Sequence, residues 1–180
     1  MVLKVAVAAA VALAVVPGAA ADGDPASDVL LQQNIFLPAP PPAADSQRGL
    51  EQAVAAVYAK SFRIKVAVVA GEGDLGAIPS LFNRPAEYAK FLGTELQFLY
   101  VGPLLIVMPS GFGIYDGGRT TSAEDAVLAR QKIGGTTADD LARSATSAGT
   151  LCSPRVRSAR ATSCPRTSSS SRRARGAARR

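Results

Sequence analysis

The order of elements along this chain predicts an α/β fold, a small layered sandwich with a partly parallel central sheet flanked by helices. Three observations carry that expectation. Two aliphatic runs, Arg63–Ala70 and Leu104–Met108, lack the polar alternation of half-exposed strands, as strands covered on both faces do. Stretches with apolar residues at helical spacing precede and separate them. Apolar residues make up 48% of the 180 positions and charged residues 19%, enough for one core of ordinary domain size.

Residues 1–21 read as a signal peptide. Lys4 supplies the leading positive charge, Val5–Val16 is a 12-residue apolar run, and Pro17-Gly18 ends it. Ala19-Ala20-Ala21 then offers small residues for cleavage, with Asp22 as the new N-terminus. The run is short for a membrane-crossing helix. The expected location is therefore outside the cytoplasm, secreted or at the cell envelope, with membrane tethering an alternative.

Residues 22–46 read as an extended lead-in. A polar start, Asp22–Asp28, is followed by a short strand at Ile35–Leu37 and by Pro38-Ala39-Pro40-Pro41-Pro42, which favours extended backbone. The α/β domain is expected over residues 47–148. Its first helix spans Ala43–Phe62, capped by Asp45 or Ser46, with Leu50, Val54, Val57 and Tyr58 on one stripe. The strand Arg63–Ala70 follows. Ile78–Asn83 holds one helical turn, and Pro85 opens a helix to Leu99 with Tyr88, Phe91, Leu92, Leu96 and Leu99 at helical spacing. The strand Leu104–Met108 ends at Pro109-Ser110-Gly111, and a third strand, Phe112–Tyr115, ends at Asp116-Gly117-Gly118. Two more helices are expected. One begins at Ser122, with Glu124 and Asp125 in its first turn, where they suit the helix dipole. The other is Ala138–Thr146, capped by Thr136 or Thr137.

Residues 149–180 read as a disordered Arg/Ser-rich tail. From Leu151 onward there are nine Arg and no acidic residue. The remaining 150 residues hold 11 Lys or Arg against 14 Asp or Glu, so the net charge of +6 belongs to the tail. A basic domain surface for nucleic acid is not expected, whereas envelope polyanions are a candidate partner for the tail itself. A second reading of the tail is a shifted frame of a GC-rich gene after about Gly149, which would yield the same residue types.

The chain has no His, which removes Ser–His and Cys–His catalysis. Gly71-Glu72-Gly73-Asp74-Leu75-Gly76 follows a strand and matches G-x-G-x-x-G. Glu72 and Asp74 place negative charge where a phosphate would sit, and Pro79 and Pro85 leave no room for the long helix that motif needs. A plain strand-to-helix connection fits better. Two carboxylates in one loop are candidate ligands for Ca2+ or Mg2+, which take oxygen donors. Asp116 joins Glu72 and Asp74 in that set if the sheet brings the two loops together. Otherwise no cofactor is expected. Ser110-Gly111-Phe112-Gly113 is half of a nucleophile elbow in the wrong order. Cys152 and Cys164 offer one disulfide in an oxidising compartment.

Three pieces together resemble the TPM domain family of exported or membrane-tethered bacterial proteins and thylakoid-lumen proteins. These are the helix Leu50–Lys60 leading into Ile64-Lys65-Val66-Ala67-Val68-Val69, the segment Pro85-Ala86-Glu87-Tyr88-Ala89-Lys90-Phe91-Leu92, and Gly102-Pro103-Leu104-Leu105-Ile106-Val107-Met108. The resemblance covers about residues 35–115. Where the family carries a Trp and Gly and then Asp-Asn-Gly, this chain has Leu99-Tyr100-Val101. The resemblance implies a small α/β fold outside the cytoplasm, and it brings divalent-metal binding and a weak acid phosphatase, attributed to some members, as the alternative function. The leading expectation is a non-enzymatic interaction or assembly module of the cell envelope, with envelope proteins as partners.

Overall fold

The computed structural model describes residues 23–151. The expected signal peptide, both cysteines and all but the first three residues of the expected tail lie outside the described residues. The elements run α1 (Pro25–Gln32), β1 (Ile35–Phe36), α2 (Ala44–Tyr58), β2 (Lys65–Val68), α3 (Pro85–Glu95), β3 (Pro103–Met108), β4 (Gly111–Asp116), α4 (Ser122–Leu128) and α5 (Ala138–Leu151). The four strands form one sheet in the order β1-β2-β3-β4. β1, β2 and β3 are parallel, and β4 returns antiparallel to β3. This is the small layered α/β fold with a partly parallel sheet that the element order predicts.

Every residue of β2 and β3 is buried, because helices cover both sheet faces. The period-2 alternation of strand side chains sorts them into two cores. Val66, Val68, Leu105 and Val107 meet Leu50, Val54 and Val57 of α2, Leu128 of α4, and Leu141 and Ala145 of α5. Ala67, Val69, Leu104, Ile106 and Met108 meet Leu30 of α1 and Tyr88, Ala89 and Leu92 of α3. Each fully buried Leu, Ile or Val on these faces contributes roughly 2 kcal/mol of transfer free energy.

Four expectations about the elements are corrected. Residues 22–46 are not extended throughout, since α1 lies within them. Asp24 caps α1 by accepting the Ala26 N–H at 3.1 Å, and Pro25 occupies its first turn. Neither Asp45 nor Ser46 caps α2. The helix starts at Ala44, Asp45 stands in its first turn paired with Arg48, and Asp139 of α5 accepts the Ala43 N–H at 2.7 Å. α3 stops at Glu95 and tightens into a 3-10 turn over Leu96–Phe98, so Leu99 is 77% exposed rather than on a buried stripe. The last helix continues past Thr146 to Leu151, overlapping the start of the expected tail. Its small residues Ala145, Ala148 and Gly149 are buried, and packing outweighs their company of weak helix formers. Thr137, one of the two expected caps, does hold the start of α5. Its hydroxyl accepts the Asp140 N–H at 3.2 Å and donates to the Asp140 carboxylate at 2.6 Å.

Candidate functional site

Parallel β2 carries the chain to its C-terminal end and releases it into the loop that holds Glu72 and Asp74. Residues Glu72–Leu75 wind into one 3-10 turn. Asp74 is buried and faces back into the fold. One carboxylate oxygen accepts the Ala39 N–H at 2.9 Å, and the other accepts the N–H groups of Ala70 and Gly71 at 2.8 and 3.0 Å. Its charge serves three backbone donors and fastens the proline-rich segment to the end of β2. Glu72 is exposed on the same turn.

Asp116 does not join them. The register pairs Met108 with Gly111 and Pro103 with Asp116. Asp116 therefore lies beside the start of β3, at the opposite end of the sheet from the loop after β2. It is buried, with the Arg119 guanidinium 3.9 Å from its carboxylate. The connection Pro109-Ser110-Gly111 stays at the Asp74 end, where the Ser110 hydroxyl donates to the Asn83 carbonyl at 2.9 Å. Among the described residues, no three Asp, Glu, His or Cys side chains come together as a metal site. A groove of about 440 Å³ runs along the β1 edge between Ile35, Glu51, Val54 and Tyr58, and its wall contains neither Glu72 nor Asp74.

Among the buried polar groups that the sequence did not single out, two secure the ends of α1. The first is Asp24, whose two oxygens each lie 2.8 Å from the hydroxyl of fully buried Tyr88, which donates to them. Burial raises the Asp24 carboxyl above its ordinary 3.8, while the bonds from Tyr88 and Ala26 pull the other way. Burial, together with the nearby Asp24, raises the Tyr88 phenol, so Tyr88 remains a donor. A carboxyl raised in the fold stabilises most below its unfolded value, and that contribution is lost as pH rises through the folded value. Asn at position 24 keeps an acceptor for Ala26 and Tyr88 without the charge. Asp24→Asn is thus expected to raise the melting temperature at pH 7, with the gain vanishing as pH falls below 3.8. Thermal melts of both proteins across that range check this, and a gain that grows toward acid would refute it.

The second is Lys65, at the start of β2. Its ammonium donates to the carbonyls of Leu30 and, at 2.6 Å, of Gln33, closing the C-terminal end of α1. It also lies 5.1 Å from the centre of the Tyr100 ring. Burial lowers the Lys65 ammonium below its usual range. Tyr100 is itself turned inward, with its hydroxyl 2.7 Å from the Pro103 carbonyl oxygen and 3.2 Å from that of Arg63.

Around this inward tyrosine the neighbouring side chains point out. Phe98 is 87% exposed, Leu99 77% and Val101 62%, and Leu31 of α1, beside Leu99 in one cleft, is 45% exposed. The turn borders a second cleft of about 380 Å³, whose wall includes Arg63, Leu99, Val101, Asp116 and Arg119. Large apolar groups held outward on a pinned turn are the most distinctive surface among the described residues. Of these, Leu99 is the one expected at the end of a buried helical stripe, and the early stop of α3 turns it out.

Set beside family models, curated proteins and solved structures, the chain matches none of them.

Proposed function

We propose that this chain is an exported α/β domain of TPM type that works at the cell envelope as a non-enzymatic interaction or assembly module. The observation that carries this reading is the pinned turn Leu96–Val101. Tyr100 anchors it from within, while Phe98, Leu99 and Val101 stand in solvent. Ordinary folding pressure buries such side chains, so a turn built to display them favours contact with something else. The signal-peptide pattern before Asp22 supports export, and the three sequence pieces between residues 35 and 115 support the TPM assignment. Of the carboxylates on which a metal-assisted phosphatase would draw, Asp74 accepts from three backbone amides, which supports the non-enzymatic reading.

Fractionation of cells producing the full chain tests the reading. The expected result is a mature chain starting at Asp22 in the envelope fraction, released by Phe98→Ser with Leu99→Ser at unchanged melting temperature. An uncleaved chain confined to the cytoplasm would sink it. Phosphoester turnover with Ca2+ or Mg2+ that disappears in Glu72→Gln, again at unchanged melting temperature, would replace it with the phosphatase reading.

A further inference from the structure

The sheet ends at β1 with unused backbone hydrogen-bonding groups beside a groove. We infer that this groove takes one added strand, and that residues 155–160 of the same chain supply it.

In a parallel ladder, alternate residues of a strand turn their N–H and C=O groups to the neighbour, and the others turn them away. Val66 donates to the Asn34 carbonyl at 2.9 Å, and Ile35 and Phe36 stand in register with Val66 and Ala67. The even positions of β1 therefore face β2. The ladder stops at Pro38, which has no N–H to give. Ile35 and Leu37 turn their backbone groups outward, where none of them has a partner among the described residues. An edge of this kind takes up an extended chain. The groove of about 440 Å³ beside it would receive the added side chains, with Val54, Ala55 and Tyr58 of α2 along its wall.

The path of the chain selects the occupant. Helix α5 runs alongside α2 in the same direction, since Asp139 meets Ala43 and Arg143 meets Ser46. Leu151 thus comes level with the last turns of α2, where Val54 and Tyr58 stand. Ser46 and Gly49 of α2 face the α5 side, whereas Glu51 and Ala55 face the groove. Only the width of one helix, roughly 10 Å, separates Leu151 from the groove. The five steps from Leu151 to Val156 span roughly 17 Å when extended. Val156 is the sole Val, Leu, Ile, Met or aromatic residue in 152–180. Entering at Tyr58, whose hydroxyl donates to the Asn34 side chain at 2.8 Å, the segment would run parallel to β1 and continue the parallel order of the sheet.

The pattern of the segment fits that direction. In a strand, Val156, Ser158 and Arg160 share one face, with Val156 and Arg160 roughly 13 Å apart. Along α2, Tyr58 and Glu51 are roughly 10 Å apart. Val156 then meets Val54 and Tyr58, and Arg160 meets Glu51. Glu51 is exposed, accepts the Gln47 amide at 3.1 Å, and is paired with no Lys or Arg among the described residues. The neighbouring cations do not compete for it, because Arg48 is paired with Asp45 and Arg63 lies near Tyr58, at the other end of the groove. A second copy fits worse, since two β1 edges offer each other only Ile35 and Leu37 before Pro38.

Amide hydrogen exchange of the full chain tests the inference. The Ile35 and Leu37 amides are expected to exchange at least about tenfold more slowly in the wild type than in Val156→Asp. The Val66 amide, bonded within the sheet, should be the same in both. Glu51→Arg and Arg160→Glu should each speed exchange at Ile35 and Leu37, and the two together should restore the protection. Equal exchange at these amides in the wild type and Val156→Asp would overturn the inference. Protection that survives Val156→Asp and grows with protein concentration would overturn it in favour of a second copy. Neither outcome bears on the envelope reading, which rests on the turn after α3.

Discussion

Gly113→Ala is expected to destabilise the domain by about 3 kcal/mol, among the larger effects of any single methyl group in this fold. Gly113 lies in the middle of β4, where α3 begins its crossing of the sheet. A Cβ there would overlap the Pro85 carbonyl group and the Ala86 nitrogen. These are backbone atoms at the start of α3, and they cannot turn away as a side chain can. Moving them lifts the first turn of α3 from the sheet, and fully buried Tyr88 and Ala89 follow within that turn or the next.

Gly93 provides the internal comparison. A Cβ at that position would overlap the Tyr115 ring, which is partly exposed and belongs to a movable side chain. Gly93→Ala should therefore cost less, about 1–2 kcal/mol. Gly71, with open space around it, should tolerate alanine within about 0.5 kcal/mol. Urea unfolding of the three variants gives the ranking through the transition midpoint at constant slope. If Gly93→Ala proved the more damaging, the contact between β4 and the start of α3 would not be the tight one.

The strands were legible in the sequence because their physical signature is local. Val66, Ala67, Val68 and Val69 lack polar alternation, and both faces of β2 are covered by helices. The end of α3 was not legible in this way. Leu96 and Leu99 fit a helical stripe equally well, yet the backbone tightens after Glu95 and only Leu96 remains buried. Helix α1 had readable capping signals in Asp24 and Pro25. Its eight residues were outweighed by the polar and proline-rich context on either side.

The position of Asp116 was more accessible than it seemed. Two strands joined by Pro109-Ser110-Gly111 have a link too short for anything but an antiparallel pair. A six-residue strand then carries its last residue roughly 17 Å from the turn. The proposed convergence of Asp116 with Glu72 and Asp74 fails on that distance alone. What no local pattern reveals is the partner of Asp74, because the Ala39 amide lies 35 residues away in sequence.

That long-range bond makes Asp74 the second position of large expected effect. Asp74→Ala removes the acceptor for three backbone N–H groups at once. Bonds to a charged acceptor are among the stronger ones, and amides left in a partly buried loop lose part of their solvation as well, so a loss of about 3 kcal/mol is expected. Asp74→Asn should recover little of it. Its oxygen can face one side of the cluster, but its amide nitrogen then points donors at donors. Hydrogen exchange should localise the damage. The Ala39, Ala70 and Gly71 amides should all exchange faster, joining the proline-rich segment to the loop after β2 in one response. A metal-site role predicts a different outcome. Ca2+ or Mg2+ would then raise the melting temperature of the wild type, and Asp74→Ala would erase that rise. With its oxygens already engaged by backbone amides, Asp74 is expected to show no such rise and to lose stability equally with metal present or absent. If the variant retained wild-type stability and lost only a metal-dependent increment, the carboxylate would belong to a ligand rather than to the fold.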